Sequence, residues 1–228
     1  MSRVVLLHAG IGDSRLWSRQ VPALAERFDV VAPDLPGFGE TPEPEEPFSL
    51  VDVVAAHLPA ALVGNSFGGM VALRTALAHP DRVSKLVLVA PAFPGWDFGE
   101  EIQGYWAAEE EAVERGDLAA ATEVNLEFWV APEHRDEVRP QQLRAFELQT
   151  AHETPEVLWP KLPPLPSLAV PTLVVIGERD VDDFRAIAAH VASEIPDADL
   201  IVVPGAGHLV GLDRPDELNA LLLEFLED

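Results

Sequence analysis

The sequence predicts an α/β fold in which a parallel sheet carries helices on its faces, and three observations predict it. Short continuous aliphatic runs alternate with segments of helical spacing along most of the chain, the pattern that parallel βαβ units require. One such run, Leu62-Val63-Gly64, stops at a serine fenced by glycines, Gly64-Asn65-Ser66-Phe67-Gly68-Gly69, with helical spacing directly behind it. The rhythm breaks at Pro91 and returns only at Thr172, so a helical excursion interrupts the sheet. With 228 residues, 48% hydrophobic and 24% charged, the chain can bury one substantial core but not two equal domains.

Residues 4–7 are an aliphatic, β-branched run that reads as a buried strand and ends in the glycine-rich loop His8-Ala9-Gly10-Ile11-Gly12-Asp13. Residues 14–27 set Leu16, Trp17, Val21 and Leu24 near helical spacing, with Pro22 forcing a kink or a restart. Residues 29–32 are a second strand. It leads through Pro33-Asp34-Leu35-Pro36-Gly37-Phe38-Gly39 into residues 41–47, where proline recurs too often for regular structure. Residues 49–57 suit a short helix with Ser49 as its cap and Asp52 at the third helical position. The third strand ends at the glycine-fenced serine, and residues 67–79 form the helix after it, with Met70, Val71, Leu73, Ala76 and Leu77 at helical spacing. Lys85-Leu86-Val87-Leu88-Val89-Ala90 is the fourth strand.

Residues 93–166 read as helical, acidic and aromatic, and they return through the stiff connector Pro160-Lys161-Leu162-Pro163-Pro164-Leu165-Pro166. This divides the chain into a core of residues 1–93 and 167–228 and a helical cap of residues 94–166. Thr172-Leu173-Val174-Val175-Ile176 and Leu200-Ile201-Val202-Val203 are the last two strands, with a helix over 184–193 between them. A final helix over 215–226 places Leu218, Leu221, Leu222 and Phe225 on one face.

Gly-x-Ser-x-Gly at a strand-to-helix corner carries a physical meaning. Glycine is needed on both sides because a Cβ there would collide with the neighbouring strand or helix, and the strained turn pushes the hydroxyl into the open. A serine hydroxyl is a poor nucleophile at neutral pH, so it needs a base and a group that orients that base. The candidate base is His208 in Pro204-Gly205-Ala206-Gly207-His208, directly after the last strand. His57, His79 and His190 fall within or at the ends of helices, while His134 and His152 fall in the cap. The candidate acid is Asp180 in Gly177-Glu178-Arg179-Asp180, just past the fifth strand, with Asp182 and Asp183 close enough to compete for the role.

Together, His8-Ala9-Gly10, Gly64-Asn65-Ser66-Phe67-Gly68, Gly177-Glu178-Arg179-Asp180 and Gly207-His208 resemble the motifs of the α/β-hydrolase fold superfamily, over almost the whole chain. The resemblance implies a six-stranded, mainly parallel sheet ordered 2-1-3-4-5-6, flanked by helices, with a small helical cap inserted after the fourth strand. It implies Ser66 as nucleophile, Asp180 as acid and His208 as base. Backbone N–H groups of Gly10, with Ile11 as the alternative, and of Phe67 would form an oxyanion hole. Two departures stand out: Ala9 occupies a position where the family usually has glycine, and the chain begins at the strand that leads to this loop. Phe93 and cap aromatics such as Trp96, Tyr105, Trp106, Phe128 and Trp129 are candidates for the pocket wall.

The activity implied is that of a cofactor-independent, metal-free serine esterase acting on a small, mainly apolar carboxylic ester. Serine rather than aspartate at the elbow argues against haloalkane dehalogenases and epoxide hydrolases. Carbon–carbon hydrolases and enol-lactonases share the triad and are the alternatives, and a ligand-binding sensor on the same scaffold is the alternative of another class. The balance of 15 Lys and Arg against 39 Asp and Glu, a net charge of −24, argues against nucleic acid and anionic membranes and disfavours anionic substrates at long range. There is no cysteine, so thiolate chemistry and disulfides are excluded. The first residues read as a strand rather than a signal peptide, so the expected setting is cytoplasmic, as a monomer or homodimer whose partner is a small-molecule substrate.

Overall fold

A computed structural model describes residues 1–151 and 155–227 of the chain. His152, assigned above to the helical excursion, lies outside them. The strands are β1 (Arg3–Leu7), β2 (Asp29–Val31), β3 (Ala60–Asn65), β4 (Val83–Val89), β5 (Thr172–Gly177) and β6 (Ala198–Val203). They form one sheet of order β2-β1-β3-β4-β5-β6, parallel at every pairing, as the sequence predicts. Helices α1 (Gln20–Ala25), α2 (Leu50–Ala55) and α3 (Phe67–Ala78) fall among the first four strands. After β4 come α4 (Glu100–Glu114), α5 (Leu118–Trp129) and α6 (Arg135–Gln149). Helix α7 (Asp182–Glu194) joins β5 to β6, and α8 (Val210–Asp213) and α9 (Pro215–Glu227) follow the sheet.

The aliphatic runs split by the period of two that a strand imposes. Val5, Leu7, Leu62, Leu86, Leu88, Val174 and Ile176 face one side and pack with Val54 of α2, Val71 and Ala76 of α3 and Ile187 of α7. Val4, Leu6, Val63, Val87, Val89, Leu173 and Val175 face the other and pack with Leu24 of α1 and Leu218 and Leu222 of α9. Full burial of such a side chain contributes about 1.5–3 kcal/mol, so the central strands form a stiff frame. At the edge, β6 is more open than its run of Leu200, Ile201 and Val202 suggests: these are 38%, 37% and 52% exposed.

Local sequence explains most element boundaries. Pro22 sits in the first turn of α1, where its missing N–H has no helical partner to lose, and a 3-10 turn at Ser14–Trp17 precedes it. Ser49 Oγ accepts from the Asp52 N–H at 3.2 Å and caps α2. Helix α8, only four residues long, was not anticipated, because one turn is too short to show a period.

The register brings the strand ends level. Leu7 pairs with Gly64, Asn65 with Val89, Val89 with Val175 and Gly177 with Val203. The loops that leave β1, β3, β5 and β6 therefore start from one rim of the sheet. Above it, α4 packs on α5 and α5 on α6. Leu126, Val130 and Val138 of this layer join Ala9 and Ile11 of the β1 loop and Leu209 and Leu212 near α8 in a shared apolar cluster. Among the described residues, no helix is long and apolar enough to cross a membrane.

Candidate active site

Ser66 occupies the corner between β3 and α3 with φ 53° and ψ −113°, a positive φ that L-residues rarely adopt. The fencing glycines permit it. A Cβ on Gly64 would stand 2.3 Å from the carbonyl oxygen of Gly68, and one on Gly68 would stand 2.3 Å from that of Leu7. Backbone bonds fix the corner: the Ser66 N–H donates to Val89 O at 2.9 Å, and Ser66 O accepts from Met70 and Ala92, both at 3.0 Å. Asn65, nearly buried, donates through Nδ2 to Val89 O at 3.0 Å and to His208 O at 3.4 Å. The residue before the serine thus ties the histidine loop to the elbow.

His208 and Asp180 are each 5% exposed. His208 Nδ1 lies 2.9 Å from Asp180 Oδ2 and 3.2 Å from Oδ1. A carboxylate can only accept, so Nδ1 carries the proton and Nε2 of the neutral ring is left with a free lone pair. Of the competing acids, Asp182 pairs with Arg185, and Asp183 accepts from Trp96 Nε1 at 3.2 Å and the Gly99 N–H at 3.1 Å. Neither contacts the imidazole. Trp129 and Phe184 flank the His208 ring at centroid distances of 4.4 and 4.6 Å. No hydrogen bond joins Ser66 to His208 among the described residues; the two face each other across a shared cavity.

The β1 loop forms the opposite wall. His8 is fully buried, with Nδ1 donating to Ala9 O at 2.9 Å and Nε2 accepting from the Leu35 N–H at 3.0 Å. Burial pushes its pKa down, against the pull of the Ala9 carbonyl and the charges of Asp34 and Asp13, so the ring is a neutral brace. His8 O accepts from the Gly68 N–H at 3.1 Å and so joins the loop to the start of α3. Gln142 of α6, with its amide nitrogen turned to the loop, reaches Gly10 O at 3.3 Å and Ile11 O at 3.1 Å. Among the described residues, the N–H groups of Gly10, Ile11 and Phe67 have no backbone acceptor, and all three residues line the cavity.

That cavity measures about 420 Å³. Its walls come from the rim of the sheet below and from α4, α5 and α6 above, and Phe, Tyr and Trp residues are prominent among them. Among the described residues, no cluster of His, Asp and Glu could hold a metal ion.

The sequence profile of the alpha/beta hydrolase family matches residues 4–221. The chain belongs to this family. Pimeloyl-[acyl-carrier protein] methyl ester esterase of Chromobacterium violaceum is 32% identical over 98% of this chain and 94% of its own length. The dihydrolipoyllysine-residue acetyltransferase component of the acetoin cleaving system of Pseudomonas putida is also 32% identical over 98% of this chain, which spans 63% of that protein. A thermophilic esterase of Thermogutta terrifontis, solved with malate bound, superposes with a TM-score of 0.75 at 25% identity, covering 100% of this chain and 90% of that one. Relatives carrying names of esterases and hydrolases identify this family member as an enzyme.

Within the hydrolase fold, most residues singled out from the sequence converge. Gly10, Ser66, Phe67, Phe93, Tyr105, Trp106, Trp129 and His208 line the one cavity, and Asp180 stands behind His208. Two expectations are corrected. Phe128 does not line the cavity: it stacks on Tyr105 at 4.7 Å and borders a separate hollow on the far side of His208. Adjacent helical residues point about 100° apart, and on α5 this rotation sets Trp129 against the cavity while Phe128 turns to Tyr105. Trp96 turns away as well, bonded to Asp183 and set against His190 at 5.8 Å. The sequence reading missed Glu109, Asn125, Gln142 and Phe184. Glu109 and Asn125 carry no motif, although Glu109 stands one helical turn after Tyr105, a spacing that puts both on the same face of α4.

Proposed function

We propose that this family member is a serine hydrolase that cleaves a small, mainly apolar carboxylic ester through an acyl-enzyme, with the helices between β4 and β5 acting as its cap. One observation carries the reading: a strained Ser66 opens into the same cavity as His208, whose Nδ1 is held by the buried Asp180. Ser66 Oγ attacks the ester carbonyl carbon as its proton passes to His208 Nε2. Asp180 keeps the ring in the required tautomer and stabilises the imidazolium. The oxyanion is taken by the N–H groups of Phe67 and Gly10, with Ile11 as the alternative donor on the same loop. Collapse breaks the bond to the alcohol, which leaves with the proton from His208. Water then gives a proton to His208 and attacks the acyl carbon, and the bond to Ser66 Oγ breaks as His208 returns the proton to that oxygen, releasing the carboxylic acid.

The aromatic walls support an apolar substrate, and the relative from C. violaceum is by name a methyl ester esterase. Lys and Arg are absent from the described residues lining the cavity, which speaks against the anionic substrates of the carbon–carbon hydrolase and enol-lactonase alternatives. A set of p-nitrophenyl esters of increasing acyl length tests the proposal. Hydrolysis is expected for short and medium chains, and Ser66→Ala should lower kcat/KM by about 10⁴-fold or more and abolish labelling by a fluorophosphonate. Absence of turnover by the wild-type protein, with ligand binding unaffected by Ser66→Ala, would favour a sensor instead.

A further inference from the structure

The cavity holds one charged group that the proposed chemistry does not use. Glu109 projects from α4 and, among the described residues that line the cavity, is the only carboxylate, with no Lys or Arg beside it. Its position is fixed rather than incidental. The Tyr105 phenol oxygen lies 2.8 Å from Glu109 Oε2 and 2.7 Å from Asn125 Oδ1, sharing its proton between them, and Asn125 Nδ2 donates to the same Glu109 oxygen. Asn125 is 3% exposed and is itself held by a bond to Ala121 O at 3.0 Å. Glu109 Oε1 has no protein partner among the described residues. Burial, and then the charge of Glu109, push the Tyr105 pKa up, so the phenol stays protonated and serves the carboxylate as a donor.

The surrounding walls are rings. Tyr105 meets Trp129 edge-on at 5.3 Å and Trp129 meets His208 at 4.4 Å, so an aromatic wall runs from the triad to the carboxylate. Trp106 is 46% exposed and packs on Phe98 at 5.0 Å. The faces of such rings attract cations. A purely apolar substrate filling this space would strip water from Glu109 and give nothing in return, and an anionic one would be repelled. A cation alone gains from both the carboxylate and the rings.

We propose that the ester recognised by the Ser66 site carries an ammonium group, and that Glu109, held by Tyr105 and Asn125, is the residue that selects it. The proposal rests on the ester-hydrolase reading and sharpens its substrate class. Two pairs of probes of matched shape test it. Butyrylcholine is compared with 3,3-dimethylbutyl butyrate, and methyl 4-(trimethylammonio)butanoate with methyl 5,5-dimethylhexanoate; in each pair a quaternary carbon replaces the nitrogen. In at least one pair the cationic ester should have the higher kcat/KM, by about tenfold, and Glu109→Gln should bring that ratio close to one. Equal or better hydrolysis of the neutral ester in both pairs, or a ratio unchanged in Glu109→Gln, would overturn it. Calorimetric binding of choline and 3,3-dimethylbutan-1-ol to the Ser66→Ala protein keeps the two proposals separable when no ester is turned over. Tighter binding of choline, lost in Ser66→Ala/Glu109→Gln, supports the cation site even then, whereas equal or weaker binding of choline refutes it.

Discussion

Ser66 holds a backbone conformation that costs on the order of 1–3 kcal/mol, and it persists because backbone hydrogen bonds with Val89, Met70 and Ala92 over-determine it. The same logic of fixing one atom to free another applies to His208. Asp180 accepts the hydrogen bond from Nδ1–H, and Nε2 is thereby offered to the cavity. Asp180→Asn is expected to present an amide N–H to Nδ1, favour the wrong tautomer and lower kcat by about 10⁴-fold with little change in KM, measured on any ester the wild type accepts. His8 illustrates the reverse case, a buried imidazole that must stay neutral. Its folded pKa lies below the unfolded value of 6.5, so the unfolded chain takes up the proton first as pH falls. The stabilising contribution is therefore complete above pH 6.5 and is lost as pH drops through and below it. Unfolding free energies from urea titrations between pH 7.5 and 5.5 should fall more steeply for wild type than for His8→Asn, the difference approaching about 1.4 kcal/mol per pH unit.

At the scale of elements, the elbow is a contact between backbones. Strand β3, helix α3 and the β1 loop approach so closely that Gly64 and Gly68 have no room for a Cβ. Gly64→Ala must push α3 off β3, and a loss of about 1–3 kcal/mol in unfolding free energy is expected, accompanied by loss of activity because Ser66 moves with the helix. A thermal melt alongside an esterase assay checks both. The glycines, the cap of α2 and the restart of α1 at Pro22 were legible in the sequence, since each depends on a local backbone requirement. The orientation of the aromatic residues on α4 and α5 was not. Neither α4 nor α5 gathers its apolar residues on one narrow face, so the pattern did not reveal that Trp129 lines the cavity while its neighbour Phe128 turns to Tyr105.

Across the whole molecule, two cores on opposite faces of the sheet hold the rim level, and the rim gathers groups from four loops. Leu222 in α9 is fully buried against the face away from α3, so Leu222→Ala is expected to cost about 2–5 kcal/mol in denaturant unfolding while leaving the KM of the folded fraction near its original value. On the open edge, Val202 is 52% exposed. Val202→Lys should change stability by no more than about 0.5 kcal/mol and reduce edge-to-edge association, read by light scattering at high protein concentration.

The sequence alone determined the alternation of strands and helices and the elbow, and it singled out Ser66, His208 and a group of acids just past the fifth strand. These are set by short-range rules: the period of an element, the room a turn demands, and the position of a residue just past a strand end. Only the tertiary structure decided that Asp180 rather than Asp182 or Asp183 meets His208, that Asn65 holds the histidine loop, and that Glu109 stands charged among aromatic rings. Those relations join residues far apart in the chain, whose meeting depends on sheet order, register and the rotation of each helix about its own axis, none of which is written at any single position.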